Sequence, residues 1–179
     1  MISILWILVA QGVLGALDVL INHERREGLP QRPSAILEQA IHGARELLYA
    51  VVFAGLAWFE WHGIWAWLFA GILVIEVVLT AWDFVEEDRT RSLSATERVM
   101  HLMLSMGGGA YCALLIPILL RWIALPDALH KTHYGIWTWI LSAMSIGVFV
   151  WGLRDAWASW SLRPVSAATF RDSYHREFV

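Results

Sequence analysis

The chain has few charged residues and almost no cysteine. Of its 179 residues, 16% are charged and 58% are hydrophobic. The single cysteine, Cys112, lies in an apolar stretch, which excludes an internal disulfide framework and argues against a thiolate metal site. The net charge of −3 gives no reason to expect nucleic-acid binding. Because a soluble domain of this length could not bury so much apolar surface, the composition predicts an integral membrane protein.

A cleavable signal peptide is not expected, since the first apolar stretch lacks a basic segment before it and an Ala-x-Ala site after it. That stretch is the first of five that are long enough to span a bilayer core, which needs about 20 residues. The five stretches lie near 2–22, 37–59, 64–86, 98–121 and 134–156. We therefore predict an all-α integral membrane fold with five transmembrane helices. The helices form one domain over 1–159, and 160–179 form a polar tail.

The distribution of basic residues predicts the orientation of these helices. Arginine is concentrated in the loops 23–35 and 87–96 and toward the C-terminus. The connections on the other side carry only Arg121 and Lys131. The positive-inside rule then places the N-terminus outside and the C-terminal tail in the cytoplasm. The expected location is a bacterial inner membrane.

The two halves of the chain repeat one pattern of aspartate, glutamate and histidine. In each half an Asp lies near the end of one predicted helix, and a Glu and a His four residues apart lie at the start of the next. The residues are Asp18, Glu38 and His42 in the first half and Asp83, Glu97 and His101 in the second. We interpret the pattern as an internal duplication, with half-repeats over about 8–58 and 73–121. The first four helices are then expected to form an internally duplicated four-helix bundle.

Four of these side chains are expected to lie roughly 6–10 Å below their helix ends, at 1.5 Å of rise per residue: those of Asp18, His42, Asp83 and His101. Carboxylates at such depth are costly, and several that face one another also repel. Bound cations would remove both problems, because two divalent ions neutralise the four carboxylates. The six residues are therefore our candidate metal ligands.

One carboxylate from each of two helices, together with a Glu/His pair from each of two others, is the ligand set of di-iron four-helix bundles. In this pattern helices 1–4 resemble the ferritin-like and alternative-oxidase-like di-iron carboxylate proteins. Those families have two residues between Glu and His, whereas this chain has three. The resemblance implies oxygen activation at a buried dinuclear site and an apolar or amphiphilic substrate. The thiolate-free ligand set suits two iron ions, with manganese or zinc as alternatives.

The expected function is oxidation by oxygen of a lipid, a fatty acyl chain or a quinol, with an unknown electron donor. Glu46 and Glu76 are the candidates for proton handling, and Tyr49 is a candidate hydrogen-bond donor behind the ligands. Glu87 and Asn22 are expected at solvated helix ends.

Three other functions fit the same residues. The protein could be a metal-ion carrier or sensor, or a haem protein with His42 and His101 as axial ligands. It could also be a non-catalytic membrane subunit whose buried charges pair with Arg45 and Arg98. His23 is expected in a loop, and a homodimer stays open.

Overall fold

The computed structural model describes residues 1–177, with side chains through 162, and it is almost entirely helical. Five α-helices form the fold, as the sequence predicts, and each is part of a helical stretch long and apolar enough to cross a membrane. The helices are α1 (Ile2–Asp18), α2 (Ile36–Trp58), α3 (Ile64–Thr90), α4 (Ala95–Ile123) and α5 (Ile136–Glu177). α5 continues into the segment predicted as a polar tail, and Phe178 and Val179 lie outside the described residues.

The connection between α1 and α2 is mostly helical, although the sequence predicted a loop over 23–35. α1 continues without a break as a π-helix over Val19–Glu27, which ends at Gly28 in a left-handed conformation with φ of 58°. Two short 3₁₀ turns, Leu29–Gln31 and Pro33–Ala35, then lead into α2. The chain therefore keeps its backbone hydrogen bonded where a polar composition predicted an irregular loop.

Two short strands close the opposite end of the molecule. β1 (Phe59–His62) follows α2 and pairs antiparallel with β2 (Ala128–Lys131), which precedes α5. The sequence predicted only a tight turn at 60–63, because four residues are too few to show the two-residue alternation of a strand.

Each helix contacts two main neighbours, so that the five helices follow one another around a ring. The order around the ring is α1, α5, α2, α3 and α4, and α4 returns to α1. α1 and α2 touch each other only slightly, while α5 contacts both. The sequence predicted a bundle of the first four helices, whereas in the structure α5 is a full member of the ring.

Hydroxyl groups on α5 join it to the backbone of α2. Three α5 side chains, spaced by multiples of seven residues, donate hydrogen bonds of 2.8–3.2 Å to α2 carbonyl oxygens with the same spacing in the opposite direction. The bonds run from Thr138 to Ala57, from Ser145 to Ala50 and from Ser159 to Ile36. A seven-residue repeat keeps one face of each helix toward its partner along the whole contact.

Glycine occupies the remaining position of this repeat on both helices. A Cβ atom on Gly43 would lie 3.0 Å from the carbonyl oxygen of Gly152, and one on Gly152 would lie 3.1 Å from that of Gly43. Small residues of this kind let helix backbones approach closely. The two glycines therefore hold α5 against the part of α2 that carries His42 and Glu46.

The buried residues divide the helix ring into an apolar end and a polar end. The apolar core lies toward the strands and includes Leu8, Phe53, Phe69 and Tyr111. Buried acidic residues and histidines lie toward the other end. Large apolar side chains are exposed on the outer surface, among them Trp67, Val74, Leu120, Ile146 and Trp160. An apolar exterior around a buried polar cluster is the arrangement expected of a protein surrounded by lipid.

A bulky side chain at Gly43 should separate α2 from α5. Gly43→Leu is expected to lower the free energy of unfolding by at least about 1–3 kcal/mol, because the new side chain meets backbone atoms of Gly152 and Ala156. Thermal unfolding of the purified protein in detergent measures the effect. Gly71→Leu is the control, since a Cβ there meets none of the described atoms within 4 Å. Equal stability of the two variants would contradict the close contact.

Candidate metal centre

Two buried Asp–His pairs bring four of the predicted ligands together. His42 Nε2 lies 3.1 Å from Asp83 Oδ2, and His101 Nε2 lies 3.0 Å from Asp18 Oδ2. Each pair joins a histidine of one half of the chain to the aspartate of the other half. The two pairs therefore connect α2 with α3 and α4 with α1.

A second pair of contacts, nearer the apolar end, also joins one half of the chain to the other. Gln11, seven residues before Asp18, donates a 2.9 Å hydrogen bond to the carbonyl oxygen of Leu104. Glu76, seven residues before Asp83, lies 3.5 Å from Nη2 of Arg45. Leu104 follows His101 by three residues, as Arg45 follows His42, so corresponding positions of the two halves make corresponding contacts.

Arg91 brings the remaining two predicted ligands together. Its Nη2 lies 2.8 Å from Glu38 Oε1, 2.7 Å from Glu97 Oε1 and 3.1 Å from Glu87 Oε1. Burial alone would lower the pKa of Arg91, but the hydrogen bonds to Glu97 and Glu38 outweigh burial and raise it above its usual range. The guanidinium is thus permanently charged and holds carboxylates from three helices at one point.

Glu87 is the central carboxylate of the cluster, and the expectation that it and Asn22 lie at solvated helix ends is wrong. Both side chains are 0% exposed. Glu87 Oε1 lies 4.0 Å from His42 Nε2, and Oε2 lies 3.4 Å from His101 Nδ1. α3 runs to Thr90, beyond its predicted end at 86, so Glu87 stays on the helix face of Asp83. The four-residue spacing between Asp83 and Glu87 could have identified Glu87 as a member of the cluster, because it places both on one helix face.

His23 also belongs to the cluster, although a loop position was expected. Its ring stacks on that of His42 with 4.4 Å between centroids, and its Nε2 lies 3.6 Å from Glu97 Oε1. In a π-helix, residues five apart lie nearer to one face than they do in an α-helix, and His23 lies close to Asp18, with Nε2 3.9 Å from Oδ2. A continuing α-helix would have turned His23 about 140° away. Neither ring nitrogen has a hydrogen-bond partner among the residues that the structure describes.

Two groups of these side chains have the spacing needed to hold a metal ion, and they share Glu87. In each group one ligand atom per residue lies within 4.8 Å of all the others. The first group is His23, Glu87, Glu97 and His101, and the second is Glu38, His42 and Glu87. Carboxylate oxygen and imidazole nitrogen suit iron, manganese and zinc.

Asp18 and Asp83 lie outside both groups, where they contact the histidines instead. His101 meets Asp18 through one ring nitrogen and faces Glu87 through the other. In metal sites a ligating histidine commonly donates its second N–H to a carboxylate, which fixes the orientation of the ring. The geometry therefore fits Asp18 as the residue that orients His101.

The buried cluster carries more negative than positive charge. Within the cluster, six buried carboxylates face two guanidinium groups, those of Arg45 and Arg91. These carboxylates are Asp18, Glu38, Glu76, Asp83, Glu87 and Glu97. A further buried carboxylate, that of Asp155, pairs with Arg154. With neutral histidines the excess is four negative charges, which two divalent cations would balance. The donor set and its charge thus both fit a dinuclear site.

A cavity of about 800 Å³ adjoins the cluster and is lined by all five helices. Asp18, His23, His42, Asp83 and His101 line its polar end. The three predicted catalytic residues, Glu46, Tyr49 and Glu76, also line the cavity, and Glu76 accepts a 2.8 Å hydrogen bond from Thr80. Glu38, Glu87, Glu97 and Arg91 are not among the lining residues, so they lie behind the others as seen from the cavity.

No protein-family model matches the chain, and comparisons with curated proteins and with solved structures yielded no match.

Removal of the Arg91 charge should destabilise the metal-free protein. Arg91→Gln leaves three buried carboxylates without their shared cation, and the expected loss is about 3–5 kcal/mol in the free energy of unfolding. Arg89→Gln is the control, because Arg89 is exposed, and its effect should stay within about 0.5 kcal/mol. Unfolding of chelator-treated protein in detergent measures both variants. An Arg91 variant as stable as the control would show that the three contacts contribute nothing.

Proposed function

We propose that the protein is an integral membrane oxidoreductase with a dinuclear metal site that acts on a lipophilic substrate with oxygen. The observation that supports this most directly is the pair of buried ligand groups that share Glu87 and adjoin a large cavity. A carboxylate with one oxygen toward each of two histidines is suited to bridge two ions. Glu87 meets this condition, with Oε1 toward His42 and Oε2 toward His101.

Each ion in this proposal has its own ligands besides Glu87. Glu38 and His42 would hold one ion, and His23, Glu97 and His101 would hold the other. Iron is the proposed metal, since bound iron supplies the electron transfer to oxygen that oxidation requires. Asp18 would orient the imidazole of His101 through the ring nitrogen that faces away from Glu87.

The side chains that line the cavity handle protons and hold the substrate in this proposal. Glu76 and Glu46 accept and return protons, which requires carboxyl groups beside the substrate and away from bulk water. Arg45 contacts both Asp83 and Glu76, at 2.5 and 3.5 Å, and keeps the two carboxylates in place. The apolar walls of the cavity hold a lipid, a fatty acyl chain or a quinol.

The orientation and the duplication belong to the same proposal. The polar cluster lies at the end of the molecule where Arg-rich segments connect α1 to α2 and α3 to α4, and the positive-inside rule makes this the cytoplasmic side. The N-terminus then lies outside, in a bacterial inner membrane. The corresponding Asp–His pairs of the two halves support descent of the first four helices from a duplicated pair.

One observation favours a different function, that of a non-catalytic membrane subunit. Arg91 already contacts Glu38, Glu87 and Glu97, so part of the buried charge is balanced without metal. The two functions differ in the role of Glu87, which is a shared ligand in one case and an arginine partner in the other.

Metal content separates the two functions. Protein purified without chelators is expected to contain about two transition-metal ions per chain, and Glu87→Gln should lose most of both. Glu86→Gln is the matched control, since the neighbouring residue is not part of either group. Metal analysis by mass spectrometry gives both values.

Chelator treatment tests whether bound metal contributes to the stability of the protein. Metal bound only by the native state contributes to stability, so a chelator should lower the melting temperature of the wild type and leave that of Glu87→Gln nearly unchanged. A wild type that contains no metal and is insensitive to chelator would overturn the oxidoreductase and favour the non-catalytic subunit.

Cysteine labelling tests the orientation. In a Cys112→Ala background, the exposed sites Gln31→Cys and Lys131→Cys should react differently with a membrane-impermeant maleimide. Lys131→Cys is expected to react in intact spheroplasts, whereas Gln31→Cys should react only after lysis. The reverse pattern would place the cluster on the outer side.

A further inference from the structure

Glycine is frequent among the residues that line the cavity. Five glycines line it, on α1, α4 and α5. A Cβ atom added at Gly15, Gly109 or Gly147 would meet none of the described atoms within 4 Å, so a side chain at these positions would project into empty space. In a helix, glycine is about 1 kcal/mol less favourable than alanine. Glycine at these positions thus serves no close helix contact and leaves open space beside the cavity lining.

The polar end of the cavity is rich in hydrogen-bond acceptors. Asp18, Glu46, Glu76 and Asp83 line it, and Arg45 is the one arginine among its lining residues. Within the described part of the chain, Glu46 Oε2 and Asp83 Oδ1 are buried and have no hydrogen-bond partner. A buried acceptor that lacks a donor costs free energy, which a ligand that carries a donor would recover.

The same charges disfavour an anionic ligand. Without bound metal, a carboxylate brought into the cavity would lose its hydration and would face four carboxylates, one guanidinium group and three imidazoles. A hydroxyl group has neither disadvantage, because it is uncharged and can donate to a carboxylate oxygen. The acidic side chains at the polar end of the cavity therefore discriminate between amphiphiles of equal chain length by the chemistry of their head groups.

We infer that the cavity binds an uncharged amphiphile that carries a hydroxyl group, with the hydroxyl toward Asp83 and Glu46 and the apolar part against the glycine-lined wall. The inference rests on the proposed function in treating this molecule as the substrate. It narrows the substrate from a lipid, a fatty acyl chain or a quinol to long-chain alcohols and other hydroxyl-bearing lipids.

Three probes of equal chain length test the inference: 1-hexadecanol, palmitate and hexadecane. Binding of each radiolabelled probe is measured to protein in lipid nanodiscs, with empty nanodiscs subtracted. For chelator-treated protein we expect saturable binding of the alcohol, at about one molecule per chain, and at least about tenfold weaker binding of palmitate and hexadecane. Palmitate or hexadecane bound as tightly as the alcohol, or no saturable binding of the alcohol, would overturn the inference.

Leucine substitutions locate the binding site. Gly15→Leu and Gly147→Leu should each reduce alcohol binding at least about tenfold, because the new side chain occupies the cavity. Gly71→Leu is the matched control, since Gly71 is equally open but does not line the cavity. Both cavity variants should fold, because leucine is the better helix former. Normal binding by Gly15→Leu and Gly147→Leu would place the alcohol elsewhere and overturn the inference.

Binding is measured on metal-loaded and on chelator-treated protein, so that the two proposals can fail separately. Alcohol binding by a protein that never contains metal would contradict the proposed oxidoreductase and support the cavity assignment. Two bound metal ions without alcohol binding would do the opposite.

Discussion

The rest of the structure depends on the burial of excess negative charge. Burial of a carboxylate without a compensating charge costs several kcal/mol, and the six carboxylates of the cluster lie together at one end of this helix ring. Two arginines and two histidines contact these carboxylates. Arg91 contacts three carboxylates, Arg45 contacts two, and His42 and His101 each contact an aspartate. These contacts require α1 to α4 to converge at the polar end.

The contact between α2 and α5 makes this convergence compatible with a large cavity. Backbone-directed hydroxyl bonds and the facing pair Gly43 and Gly152 hold α5 against α2. α5 then occupies the position between α1 and α2 and supplies a wall of the cavity. Apolar packing near the strands completes the fold, so the open volume lies between a rigid apolar end and a charged polar end.

The sequence predicted the helices because apolar length is a local property that a membrane makes decisive. It also predicted that Asp18, His42, Asp83 and His101 meet, since helical spacing places each of them on one inward stripe. It did not predict the π-helix that brings in His23, because that geometry depends on tertiary contacts. The role of α5 was missed for a similar reason: serine and glycine seven residues apart show no apolar periodicity.

The π-helix makes the two halves of the centre unequal. α1 gains an inward-facing imidazole at His23, whereas α3 continues as an α-helix and presents the carboxylate of Glu87 in the corresponding layer. In the proposed site, one ion then has two nitrogen ligands and its neighbour has one. Ions with different ligand sets differ in affinity and in reduction potential. If the site holds two ions, they would therefore be inequivalent, and one position would fill before the other.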